Sequence, residues 1–245
     1  DYYLPGYLAG GVIKTLKNLS DSTVGIHNFK IVCSDRDLGS HTAYSSADTG
    51  SFVKVGNVDV FYLTPSIFSF LSIIKLVHSK DFDIIYLNSF FSIKFSFFPL
   101  VISKLFGKKV ILGPRGEFSK GALSLGSFKK KIFINFFKFF LFHKSIIFQA
   151  SSFFEAEDIR HSLGVDIDIK IAEDIGSSQF STKVPFNASG ALNLVFLSRI
   201  SPKKNLHFAL KILYNVKNDF VFDIYGPIED QFYWNQCLHL IQGLP

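Results

Sequence analysis

Methionine is absent from the 245 residues, tryptophan occurs once and cysteine twice. A chain that lacks Met and opens on Asp1-Tyr2-Tyr3-Leu4-Pro5 is expected to begin inside a longer protein. Cys33 and Cys237 belong to no C-x-x-C pair, which excludes a disulfide scaffold and a zinc ribbon and fits a reducing, cytoplasmic compartment. The seven His show neither H-x-x-x-H nor H-E-x-x-H spacing, so no protein-built metal site is expected. Arginine is scarce: Arg36, Arg115, Arg160 and Arg199 stand against 22 Lys among the 26 basic residues. Sequence-specific readers of nucleic acid rely on the Arg fork, so no nucleic-acid partner is expected. A net charge of +6 carried by Lys suits an anionic small ligand or an anionic membrane surface better. Long uncharged apolar runs are also missing. Residues 132–148 are broken by Lys138, His143 and Lys144, and residues 84–106 by Asn88, Lys94, Pro99 and Lys104. Neither reaches the stretch of about 20 residues that a spanning helix needs. The expected protein is soluble or rests on a membrane.

What is present is apolar bulk: 48% of residues are hydrophobic and thirty are Phe. Such a chain buries enough surface to offset ordering entropy, which excludes disorder. The Phe residues are expected mostly in the core, with codon usage of an AT-rich genome as the other source of their excess.

Short β-branched or aromatic runs alternate with longer helical stretches. Strands are expected at 30–33, 58–63, 83–87, 109–112, 145–149 and 169–172, and helices at 11–19, 66–78, 91–106, 128–142 and 152–163. Strands of unbroken apolar character between helices indicate a parallel sheet covered on both faces. Residues 175–190 are rich in Ser, Gly, Pro and Asn and read as a linker. The alternation then restarts, with strands at 192–197 and 220–225 and helices at 203–216 and 230–241. Two strand–helix units fall short of a doubly wound domain, so truncation is expected at the C-terminus too. The reading is an N-terminal domain over 1–180, a linker over 181–190 and the start of a second domain over 191–245.

Three constellations carry chemistry. Leu197-Ser198-Arg199-Ile200-Ser201-Pro202-Lys203-Lys204-Asn205-Leu206 lies where a strand hands over to a helix. That is the carboxyl edge of a parallel sheet, with the positive end of a helix and its free N–H groups nearby. Arg199 suits bidentate contact with phosphate and Lys204 adds a point charge, five residues apart across one turn, which suits a diphosphate. From spacing alone, a solvated loop accounts for the two charges equally well. Pro5-Gly6-Tyr7-Leu8-Ala9-Gly10-Gly11-Val12 puts two glycines at a helix start, where a backbone can approach a ligand or simply turn. It is not G-x-G-x-x-G, which argues against a nicotinamide dinucleotide site. Val110-Ile111-Leu112-Gly113-Pro114-Arg115-Gly116-Glu117-Phe118 runs a strand into a polar turn.

In this order the three resemble the retaining GT-B glycosyltransferases of family 4, also called glycosyl transferases group 1, of bacterial surface-polysaccharide type. Residues 83–92, 148–160 and Asp223-Ile224-Tyr225-Gly226-Pro227 extend the resemblance over almost the whole chain. It implies an α/β fold of GT-B architecture: two Rossmann-like domains with parallel sheets, the second only partly present. It implies sugar transfer from a nucleotide-sugar donor to a glycan or lipid-linked acceptor, with retained anomeric configuration, at the cytoplasmic face of the membrane. Gly10 and Gly11 match the loop that approaches the donor diphosphate. Arg199 and Lys204 match the pair that neutralises it in catalysis without a bound metal or other cofactor. Arg115 stands nearest to the family's strand-end His, and with Glu117 is assigned to the sugar or acceptor pocket. Asn205 replaces a common Gly. The family's E-x7-E carboxylates are expected beyond residue 245, so the present chain alone is expected to be inactive. A sugar-nucleotide epimerase and a non-catalytic, membrane-associated binding protein on the same fold stay open as alternatives.

Other signals read as structural. Asp35-Arg36-Asp37, Asp81-Phe82-Asp83 and Asp166-Ile167-Asp168 form D-x-D strings at ordinary turn positions. Glu155, Glu157 and Asp158 suit the first turns of a helix, where the dipole favours negative charge. Lys129-Lys130-Lys131 followed by Ile132 to Lys138 reads as a basic-aromatic helix, either covering the sheet or resting on anionic lipid.

Overall fold

A computed structural model describes residues 1–124, 126–140, 142–177 and 192–244. The chain divides into two compact units, Asp1–Gln179 and Phe180–Pro245. The segment 181–190, read as linker, lies outside the described residues.

The first unit runs α1 (Gly11–Ser22), β1 (Lys30–Ser34), β2 (Val53–Val55), β3 (Val58–Leu63), α2 (Ser69–His78), β4 (Ile84–Asn88), α3 (Phe98–Leu105), β5 (Lys109–Gly113), α4 (Lys120–Ser124), α5 (Ser127–Phe139), β6 (Ile147–Ala150), α6 (Phe153–Leu163) and β7 (Ile169–Ile171). Strands β4, β5, β6 and β7 form one parallel sheet in that order. Its centre is apolar: Val110 and Leu112 of β5 and Phe148 and Ala150 of β6 are buried. Helix α6 lays Ala156, Ile159 and Leu163, spaced along one face, onto this core, and α5 adds Ile134 and Phe137. Phe90, just after β4, packs against Phe118 and Phe137 with ring centroids 4.6 and 4.7 Å apart. Each such pair contributes about 0.5–1.5 kcal/mol beyond its burial.

A smaller sheet has the order β1-β3-β2, with β1 and β3 parallel and β2 antiparallel to β3. Strand β2 corrects the sequence reading. Three residues, one of them Lys54, are too few to display a period, and the Gly56-Asn57 turn closes a hairpin that puts an antiparallel strand on the edge. Asp1 lies beside this sheet, its carbonyl accepting from the Ser34 N–H at 2.8 Å and its carboxylate from the Ser92 hydroxyl. The helix expected over 91–106 is found over 93–105, its first turn wider than an α-helical one. A π-type turn occupies Ile93–Phe97, with Ser92 Oγ accepting from Phe95 N–H, and α3 starts at Phe98 with Pro99 in its first turn. The two run on without a gap: Phe97 and Phe98 are both right-handed helical and Phe98 N–H donates to the Ile93 carbonyl, while Pro99, which lacks an N–H, sits where α3 begins.

The second unit contains β8 (Leu192–Leu197), α7 (Leu206–Leu213), β9 (Phe220–Tyr225) and α8 (Gln231–Gln242). The two strands pair in parallel, Leu192 opposite Phe220 and Leu197 opposite Tyr225. Leu206 and Leu210 of α7 and Tyr233 and Cys237 of α8 are buried with Phe196, Phe222 and Ile224 packed against them. Among the described residues this sheet is covered by helices on one face. Val195, Leu197, Val221 and Tyr225, on the opposite face, are all more than half exposed. Apolar content revealed the strands but not how many helices reach them. The chain is thus α/β, with parallel four- and two-stranded sheets and a mixed three-stranded one.

Candidate functional site

In the second unit, the carboxyl ends of β8 and β9 are drawn together by a glycine. Gly226 sits at φ +148°, and a Cβ built there would lie 1.8 Å from the Ser198 carbonyl oxygen. No other residue fits so close an approach. Ile200 then donates its N–H to the Pro227 carbonyl at 2.9 Å and extends the pairing by one bridge to Ile228. This places Arg199 beside Glu229, their ion pair 2.7 Å long and both side chains about half exposed. At that exposure the pair stabilises by about 0–1 kcal/mol, so an incoming anion can replace the carboxylate at little cost.

Lys204 ends a single 3-10 turn, Pro202–Lys204, and Asn205 follows in the left-handed region at φ +58°. Lys204 is exposed and has no ion-pair partner among the described residues. The free N–H groups expected at the helix start are fewer than the sequence suggested. The His207 N–H donates to the Tyr233 hydroxyl at 3.0 Å and Phe208 N–H to the Asn205 carbonyl, so α8 caps α7. The cations of this edge are Arg199, Lys203 and Lys204, the two lysines exposed in the same turn. Burial, the larger effect, raises the Tyr233 phenol above its ordinary value, and the hydroxyl stays a neutral donor and acceptor.

In the first unit, Gly10 and Gly11 open α1. Gly10 has φ +70°, no side chain caps the helix, and nothing lies within 4 Å of a Cβ position at either glycine. The preceding loop is fixed by a residue read only as part of a D-x-D string. The buried Asp37 carboxylate accepts from the N–H groups of Tyr7 at 2.8 Å, Leu8 at 3.1 Å and Leu38 at 2.8 Å. Its neighbour Asp35 takes a bidentate pair from Arg36 at 2.8 and 3.1 Å. Both carboxylates hold the chain in place. Burial raises the Asp37 carboxyl, but the backbone donors outweigh it and keep the group below its ordinary value.

At the carboxyl edge of the four-stranded sheet, Arg115 (φ +57°) turns back over β4. It donates to Asn88 Oδ1 at 3.2 and 3.0 Å and to the Tyr86 hydroxyl at 2.6 Å, and it pairs with Asp174. The Tyr86 hydroxyl in turn donates to Gln149 Oε1 at 2.8 Å. Burial raises the Tyr86 phenol, against the opposing effect of the Arg115 cation. Glu117 accepts from Ser89 Oγ at 2.8 Å and from the Phe90 and Phe91 N–H groups, fixing the loop after β4 where Ser89 has φ +150°. Glu155 lies in the first turn of α6, as read, and also accepts from the Gly116 N–H at 2.6 Å and from Ser151 N–H and Oγ at 2.7 and 2.6 Å. Arg115 and Glu117 thus share one loop and brace strand ends. Among the described residues no hydrogen bond or ion pair joins them to Gly10 or Gly11.

Sequence reasoning missed Asp37, Glu155, Asp174 and Glu229. The run Ser152-Phe153-Phe154-Glu155 carries a legible helix-start signal, S-x-x-E, and Ser152 Oγ does accept from Glu155 N–H. Asp174 and Glu229 pair across 59 and 30 residues, and nothing local marks them. Among the described residues, no three His, Cys, Asp or Glu side chains gather as a metal-binding group. No family model matches the chain, and no curated protein matches it in sequence.

Proposed function

We propose that this chain is the acceptor-side domain and the beginning of the donor-side domain of a retaining GT-B glycosyltransferase. The enzyme would move a sugar from a nucleotide-sugar to a glycan or lipid-linked acceptor at the cytoplasmic face of a membrane. The observation that carries the reading is the β8–β9 edge, where the close approach of Gly226 to Ser198 precedes Arg199 and Lys204 ends the turn that follows. Two cations with no structural duty beyond a half-exposed ion pair suit a diphosphate leaving group. As the sugar–phosphate bond breaks, negative charge builds on the diphosphate, and Arg199 exchanges Glu229 for its oxygens while Lys204 adds charge. Gly10 and Gly11 contribute an uncapped helix start that ligand atoms can approach. Arg115 and Glu117 act from behind, holding the loops that shape the acceptor side.

Isothermal titration of the protein with UDP, GDP and ADP tests the diphosphate contact. One nucleoside diphosphate should bind, and Arg199→Ala should weaken it about 10- to 100-fold, the range of hydrogen bonds to a charged group. Lys204→Ala should weaken it about tenfold. Unchanged affinity in both variants would remove the basis of the reading.

A further inference from the structure

Many Phe are buried or pack against the core clusters, as expected, but many others do not. Among the described residues Phe90, Phe118, Phe137 and Phe148 are buried, whereas eleven Phe are exposed, and four of those lie on α5 or its C-cap. Four residues advance a helix by about 40° beyond one full turn, so positions 128, 132, 136 and 139 form one stripe with 140 at its edge. Phe128 is 75% exposed, Ile132 53%, Phe136 43%, Phe139 80% and Phe140 50%. The other face of the same helix is fully employed: Ile134 and Phe137 are buried and Phe133 packs on them. A covering helix needs one apolar face, and this one has two.

Charge surrounds the second face. By helical position Lys131 and Lys138 flank it on one side and Lys129 on the other, and all three are exposed. At its C-terminal end Lys104 stands 5.1 Å from the Phe142 ring, which neighbours Phe140 at 6.1 Å. From residue 84 to 154 the chain holds ten Lys and Arg115 but a single acid, Glu117. Glu117 is engaged by Ser89, Phe90 and Phe91 and does not offset the lysines. A second copy docking through the same face would set these lysines against their own kind with no acid to meet them, which opposes a symmetric dimer. No helix among the described residues is long and apolar enough to cross a membrane.

We infer that α5 is a docking face for an anionic lipid bilayer. It lies in the interface plane, its exposed Phe and Ile side chains enter the acyl boundary, and the flanking lysines reach out to lipid phosphates. The inference stands on this face alone and is independent of any catalytic role for the chain.

Co-sedimentation with phosphatidylcholine vesicles, with and without phosphatidylglycerol, tests it. The protein should pellet with the anionic vesicles and stay in solution with the neutral ones, and added salt should release it. The triple variant Lys129→Glu, Lys131→Glu, Lys138→Glu should weaken binding roughly a hundredfold, at about fivefold per lysine. An equal charge change at exposed Lys54, Lys80 and Lys217 should leave most of the binding intact. Phe128→Ser with Phe139→Ser should also lose binding, with an unaltered melting curve because both side chains are exposed. Absence of binding to anionic vesicles, or equal loss from the two triple variants, would overturn the inference. So would a sedimentation-velocity dimer that Phe139→Ser dissociates.

Discussion

Asp37 shows how one carboxylate can set a loop. Three backbone N–H groups, two of them immediately before Gly10-Gly11, converge on a buried side chain from a different part of the chain. Asn at this position retains only one acceptor atom and no charge. Asp37→Asn should therefore cost about 1–3 kcal/mol in urea denaturation near neutral pH. The pH dependence follows from the direction of the shift. The folded carboxyl lies below its ordinary value of 3.8, so its stabilisation is complete above that value and is lost as pH falls through the folded one. The gap between the native protein and Asp37→Asn should stay constant above about pH 5 and close below about pH 4. A gap that widens on acidification would contradict this role. Asp37 was visible in the sequence only as half of a D-x-D string. Its function depends on the return of residues 7 and 8 to within hydrogen-bond reach, which no local pattern encodes.

Elements were more legible than their contacts. β3, β8 and β9 occupy the spans that apolar content suggested, because six consecutive residues rich in Val, Ile, Leu, Phe and Tyr leave few alternatives to a strand. The omissions fall where an element is too short to show a period, as in β2 and α4. The turn after β9 is where element geometry and candidate chemistry meet. Gly226→Ala sets a methyl group against a backbone carbonyl that cannot swing aside, at a φ unfavourable to any L side chain. The expected loss is about 3 kcal/mol or more, read from thermal unfolding of the second unit. A variant as stable as the native protein would mean that the β8–β9 edge is not held by this approach. The sequence matched Gly226 to a family turn, but the Ser198 carbonyl that makes it obligatory is visible only in three dimensions.

For the whole molecule, the α/β class and the parallel sheets were readable from alternation, whereas the candidate site was readable only as residue types in order. Among the described residues Arg199 pairs with Glu229 and Lys204 has no ion-pair partner. Arg115 and Glu117 are hydrogen-bonded to the loops and strand ends around them. The proposed reaction moves a sugar away from a diphosphate held by the second unit. Its most direct measurement incubates the full-length protein with UDP-, GDP- and ADP-sugars, with and without membrane lipids or glycan acceptors, and follows free nucleotide. Nucleoside diphosphate should accumulate from one donor only when an acceptor is present, and Arg199→Ala should abolish most of that turnover. Release that needs no acceptor would identify an epimerase-like reaction, and no turnover with any donor and acceptor would contradict the account.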